Sequence, residues 1–138
     1  MAREVFVDAG AWIAVINQRD EYHAEAAAFY ERLLREKRPL VTTNLVIAEA
    51  YAMIRRHTGY QPAIGFLDSI RQASRLTKIY SDAALEAEAE KTLRRYADQD
   101  FSLADAVSFL VMQQRGITEA FAFDGHFATA GFAVAPAV

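Results

Sequence analysis

The chain has 138 residues, 53% hydrophobic and 24% charged, which excludes a disordered chain and fits one ordinary domain spanning residues 1–138. It contains no cysteine, so a disulfide scaffold, a thiolate metal site and a cysteine nucleophile are all excluded. The net charge of −3 speaks against a nucleic-acid binder only until Asp8, Glu49, Asp105 and Asp124 are set aside; 15 basic residues then face 14 acidic ones, a balance of +1.

The first ten residues lack an apolar stretch followed by a small-residue cleavage site, so no secretory leader is expected. No apolar run reaches the ~18 residues needed to cross a membrane. A reducing cytosol, and hence a cytoplasmic location, fits the absence of cysteine.

In chain order, Glu4 to Val7 is a short apolar run that reads as a buried strand ending at Asp8. A short helix is expected from Ala11 to Ile16. Tyr22, Ala26, Phe29, Tyr30, Leu33 and Leu34 recur at helical spacing, which predicts an amphipathic helix over about 21–37. Pro39 to Thr42 reads as a second strand. Thr43 or Asn44 caps a helix running to about His57 and stopped by Gly59. Pro62 suits the first turn of the next helix, with Phe66, Leu67 and Ile70 on its apolar face.

Leu76 to Tyr80 reads as a third strand, followed by a helix capped by Ser81 or Asp82 with Leu85, Ala89, Leu93 and Tyr96 on one face. Ser102 caps a helix from Leu103 to Arg115 that stops at Gly116. Glu119 to Phe123 reads as a fourth strand ending at Asp124, and Phe132 to Ala135 as a fifth. Strands alternating with helices imply an α/β fold, a parallel sheet covered on both faces.

Positions then suggest chemistry. Asp8 and Asp124 each follow a strand, and in open α/β sheets ligands bind outside the carboxyl ends of the strands. Glu49 lies near the start of the helix after the second strand, and Asp105 lies in the first turn after Ser102. Both helices should begin at that same edge. Four carboxylates converging without basic partners would raise one another's pKa and oppose folding unless a cation joined them. Oxygen ligands without a His pair favour Mg²⁺ or Mn²⁺, ions suited to phosphodiester hydrolysis.

Each acid also has a structural reading. Asp8 could cap the short helix. Asp105 and Ser102 match the capping box S-x-x-[DE]. Asp124 could be a turn residue. Glu49 is hardest to explain away, because the stretch from Leu45 to Met53 around it is mostly apolar and a carboxylate there is expensive unless paired or liganded; the alternative is a helix that turns this one Glu to solvent. Asp98 and Asp100 read as solvated loop residues, His126 as a surface residue with substrate contact as the alternative, and Trp12 as core. His23 and His57 are isolated. The pairs Arg55-Arg56 and Arg94-Arg95 read as solvated helix faces, with phosphate binding as the alternative. No phosphate loop or dinucleotide fingerprint is present.

Four blocks carry a resemblance: Val7-Asp8-Ala9-Gly10-Ala11-Trp12; Thr42-Thr43-Asn44 leading to Ile47-Ala48-Glu49; Asp98-Gln99-Asp100-Phe101-Ser102-Leu103-Ala104-Asp105-Ala106; and Glu119-Ala120-Phe121-Ala122-Phe123-Asp124-Gly125-His126-Phe127. In this order they resemble the PIN-domain ribonucleases, and among them the VapC-like toxins of toxin–antitoxin pairs, over nearly the whole chain.

The resemblance implies a three-layer α/β sandwich whose central parallel sheet of about five strands is flanked by helices. It implies a Mg²⁺- or Mn²⁺-dependent endoribonuclease, with Asp8, Glu49, Asp105 and Asp124 matching the family's acidic residues and Asp8 and Asp105 as the most direct metal ligands. Asp100 matches a common additional acid. A cognate antitoxin and a homodimer are implied as well. One departure stands out: many members have Ser or Thr where this chain has Gly10, so a hydroxyl contact there is missing or supplied by backbone. The rival readings are a metal-dependent nuclease or phosphatase acting on another phosphate ester, and a degenerate module that binds RNA or protein without cleavage. A phosphoacceptor receiver domain is disfavoured, because Asp8 comes too early and no Lys follows Lys91.

Overall fold

The computed structural model describes residues 3–138. Its five strands are β1 (Val5–Val7), β2 (Leu40–Thr43), β3 (Leu76–Ile79), β4 (Glu119–Phe121) and β5 (Ala133–Ala135). Its seven helices are α1 (Ala9–Ile16), α2 (His23–Arg35), α3 (Asn44–Thr58), α4 (Tyr60–Gln72), α5 (Ala83–Arg95), α6 (Leu103–Arg115) and α7 (His126–Thr129).

All strands pair in parallel, in the order β3-β2-β1-β4-β5. The chain therefore winds outward from β1 to β3, returns to the other side of β1, and winds outward again to β5. Parallel crossovers are right-handed, so reversing the direction of winding moves the helices to the opposite face. Accordingly α1 to α4 pack together as one group, and α5, α6 and α7 as another. β1 is central and wholly buried, and so is its neighbour β2. Phe6, Leu33, Ile54, Phe66, Met112 and Phe127 are among the largest fully buried side chains around this sheet.

Local signals account for most boundaries. Thr43 caps α3 by accepting from the Val46 N–H at 3.1 Å, and Asp82 caps α5 by accepting from the Leu85 N–H at 2.8 Å. Gly116, at φ 69°, ends α6 in the left-handed conformation that glycine adopts without steric penalty. Some boundaries differ from the sequence reading. α1 begins directly after Asp8 rather than at Ala11. β4 ends at Phe121, because Phe123 has left the ladder and stacks on Tyr22 with ring centroids 4.7 Å apart. β3 stops at Ile79, and the four-residue α7 was not anticipated.

The two edges of the sheet differ in charge. At the amino edge acids meet arginines: Arg38 Nη2 lies 2.8 Å from Glu119 Oε1, and Arg115 donates to both oxygens of Glu4, at 3.2 and 2.7 Å. At the carboxyl edge, among the described residues, none of the four candidate acids forms an ion pair with Lys or Arg.

Candidate active site

The winding reverses between β1 and β4, and at such a switch point the loops leaving adjacent strands diverge and open a crevice. Asp8 stands on one side of it and Asp124 on the other. The Asp8 N–H donates to Phe121 O at 3.1 Å, carrying the β1–β4 ladder one residue beyond β1 and fixing the Asp8 backbone. A buried relay supports the same point. Trp12 Nε1 donates to Thr42 Oγ1 at 3.4 Å, and Thr42 Oγ1 donates to Val7 O at 2.9 Å. Trp12 also packs between Tyr30 and Phe66, which makes it core. The sequence reading quoted Thr42 without giving it a role; its position on a buried strand was the available signal.

Asp8 occupies the N-cap position of α1, but its side chain makes no capping hydrogen bond. Its backbone oxygen instead accepts from Ala11 and Trp12, each at 3.2 Å. The residue is 5% exposed. Burial first, then the negative charge of Asp124, pushes its carboxyl up to about 8, with smaller contributions from Asp105 and Glu49; the Ala9 amide opposes the rise.

Asp105 is 8% exposed and forms the anticipated capping box: Asp105 N–H donates to Ser102 Oγ and Ser102 N–H donates to Asp105 Oδ2, both at 3.0 Å. Asp124 is a turn residue as well, accepting from the His126 N–H at 2.9 Å. Capping and turn roles therefore coexist with a place at the crevice.

Glu49 takes the solvent-facing alternative: as a residue it is exposed on α3, as is Ala48. Its carboxyl nevertheless lies above the usual carboxylate range, first through partial desolvation and then through the charges of Asp105 and Asp124. The convergence is also looser than expected. Among the described residues, no three Asp, Glu or His side chains gather tightly enough to form a ready ligand set for one ion. When ionised, these acids repel one another, and they stand close enough to perturb Asp8 and Glu49.

His126 differs most from expectation. It is half-buried, with Nδ1 3.0 Å from Asp105 Oδ2 and 3.9 Å from Asp124 Oδ1. The signal was Asp124 two residues before it; the contact with Asp105 spans 21 residues of sequence. Other candidates stay apart. His23 Nδ1 donates to Ala14 O at 2.7 Å and is structural. Asp98, Asp100 and His57 are exposed. Arg55 stacks on Tyr60, 5.0 Å from the ring centroid, and Arg94 lies 3.9 Å from Glu90 on an exposed face.

The donor set of this crevice is carboxylate oxygen, without thiolate and without a lysine or arginine counter-ion. That chemistry fits a hard divalent cation. No helix of the described residues is long and apolar enough to cross a membrane.

Comparisons with known proteins give the family and the fold. The PIN domain family model matches residues 5–133. The chain is 36% identical over 129 residues to the 23S rRNA-specific endonuclease VapC20 of Mycobacterium tuberculosis, covering 93% of this chain and 95% of that protein. The crystal structure of VapC20, described as a sarcin-ricin loop cleaving toxin, superposes with a TM-score of 0.82 at 35% identity, covering 93% of this chain and 95% of the other. VapBC2 from Rickettsia felis, bound to a DNA fragment from its promoter, shares the fold with a TM-score of 0.67 at 13% identity, over 95% and 96% of the two chains. The chain belongs to the PIN-domain family of nucleases, whose members generally use a divalent metal, and is a homologue of VapC20.

Proposed function

We propose that this protein is a Mg²⁺- or Mn²⁺-dependent endoribonuclease and the toxin of a toxin–antitoxin pair, built as a single domain. One observation carries the reading: a nearly buried carboxyl, Asp8, sits at the sheet's switch point among three other acids with no Lys or Arg ion pair. Asp8 and Asp105, the two least exposed acids, would hold the ion most directly. Glu49 and Asp124, nearer to solvent, would complete the charge cluster or hold water. A bound divalent ion would polarise the phosphodiester and activate the attacking water. The chain's own acids orient that water, and no Lys or Arg ion pair occupies them among the described residues. Hydrolysis adds water across one P–O bond, leaving a phosphomonoester end and a free hydroxyl end.

By its likeness to VapC20, the first substrate to test is a structured ribosomal RNA loop. Incubation of that loop, unstructured RNA, DNA and a small phosphate ester with Mn²⁺ should show cleavage of RNA alone, blocked by EDTA and lost in Asp8→Asn. Turnover of the small ester or of DNA at a similar rate would overturn the ribonuclease reading, and metal-dependent RNA binding without turnover would point to a non-catalytic module.

The remaining expectations are a homodimer, a cytoplasmic location and a cognate antitoxin. An antitoxin can neutralise the acids by inserting an Arg or Lys in place of the cation, with apolar contacts along α2 and α3. Coexpression with the product of the adjacent gene should yield a copurifying complex with suppressed RNase activity. A neighbour protein that neither binds nor inhibits would remove the toxin assignment while leaving the nuclease assignment intact.

Gly10 offers a smaller test. A Cβ built there meets nothing within 4 Å, so the position has room for a side chain. Glycine inside a helix costs roughly 0.5–1 kcal/mol relative to alanine. Gly10→Ser should therefore melt slightly higher and retain cleavage. Loss of cleavage would show that the open space beside Asp8 is used by substrate.

A further inference from the structure

His126 reaches two of the four acids in different ways. Its backbone N–H donates to Asp124 Oδ1 at 2.9 Å, and its ring Nδ1 lies 3.0 Å from Asp105 Oδ2. That same Oδ2 already accepts the Ser102 N–H at 3.0 Å. A carboxylate oxygen only accepts, so Nδ1 must carry the hydrogen, and this contact selects the ring tautomer. With two donors on Oδ2, the Asp105 carboxyl is held against rotation, and Oδ1 has no hydrogen-bond partner among the described residues.

The ring is held by one aromatic contact and by the anchoring of its helix. It packs edge-on against Phe101, with centroids 5.5 Å apart, and Phe101 packs in turn on Phe109 at 5.0 Å. The next residue, Phe127, is fully buried and contacts Phe6 and Phe109, anchoring α7 and with it His126.

We propose that His126 is a positioning residue of the acidic centre: its Nδ1–H, together with the Ser102 amide, immobilises Asp105 Oδ2 so that Oδ1 is presented to the divalent ion. This rests on the metal-dependent reading above and extends it to a residue that is not one of the four acids. Partners that orient a ligand in this way typically contribute about 10–100-fold to metal affinity.

The test is Mn²⁺ binding, measured by calorimetric titration of RNA-free protein, with melting in EDTA as a check on folding. His126→Phe keeps a ring to pack on Phe101 but has no donor, and should weaken Mn²⁺ binding by about 10–100-fold. His126→Asn places an amide N–H near the Nδ1 position and should recover most of the affinity. The backbone bond to Asp124 is available to both variants. Should His126→Phe not fold, His126→Leu gives the same donor-less comparison. Equal binding by the donor-less variant and the wild type, or equal loss in the donor-less variant and His126→Asn, would overturn the inference while leaving the metal site standing. A wild type that binds no Mn²⁺, or that binds no better than Asp8→Asn, would overturn the metal reading and this inference with it.

Discussion

Asp8→Asn should melt higher than the wild type in EDTA at pH 8 and should cleave no RNA. The stability gain follows from the raised carboxyl. Burial and neighbouring acids move Asp8 from its ordinary 3.8 to about 8, so the folded protein holds a proton that the unfolded chain releases. Between those values the unfolded state binds fewer protons, and stability falls as pH rises from about 4 to 8. At pH 7 this component opposes folding by on the order of 4 kcal/mol, or about 15 °C in melting temperature. An uncharged amide of the same shape removes it. The wild type should therefore lose stability between pH 5 and pH 8, and the variant should lose much less. A metal that binds only the folded state narrows the gap, raising the wild type by ~2.7 kcal/mol at a hundredfold excess over its dissociation constant and leaving a variant that cannot hold it unchanged. Melting curves with EDTA and with Mn²⁺, at both pH values, check all of this. An equal Mn²⁺ rise in Asp8→Asn would place the metal elsewhere, and a variant melting lower at pH 8 would make Asp8 a structural carboxylate.

What the sequence made legible was local. Ser102 and Asp105 are three residues apart, and their capping box follows from that spacing; Gly116 ends the same helix for an equally local reason. Asp8 could be placed at a strand end because β1 is short, apolar and directly followed by a polar residue. Less legible were features decided by distant packing. Phe123 continues an aromatic and apolar run, and only its stack on Tyr22, about a hundred residues earlier, shows that it has left β4. α7 has four residues, too few for a helical period to register. Ala48 made the surroundings of Glu49 look apolar, yet alanine is small enough to sit at the surface and both residues do. The tie between His126 and Asp105 joins the start of α7 to the first turn of α6 across 21 residues, and no pattern within one segment records it.

Asp105 has two roles in one side chain, and a pair of substitutions should separate them. Its Oδ2 accepts from the Ser102 amide and from His126, while its backbone N–H donates to Ser102 Oγ. Asp105→Asn can keep a carbonyl oxygen in the Oδ2 position, so both hydrogen bonds can survive; what disappears is the charge. A first-turn acid is worth only ~0.3–1 kcal/mol against the helix dipole, and relief of repulsion toward Asp8 and Glu49 offsets part of that. Melting should hardly change. Cleavage should fall to background, because a neutral amide is a poor ligand for a hard cation. Ser102→Ala should do the opposite: it removes the acceptor for the Asp105 N–H, costs about 1 kcal/mol, lowers the melting temperature by roughly 4 °C, and keeps measurable turnover because the carboxylate remains. The measurements are melting temperature and Mn²⁺-dependent RNA cleavage for both variants. An Asp105→Asn protein that melts lower yet still cleaves would make Asp105 a helix cap alone, and the hydrolytic centre would then have to rest on Asp8, Glu49 and Asp124.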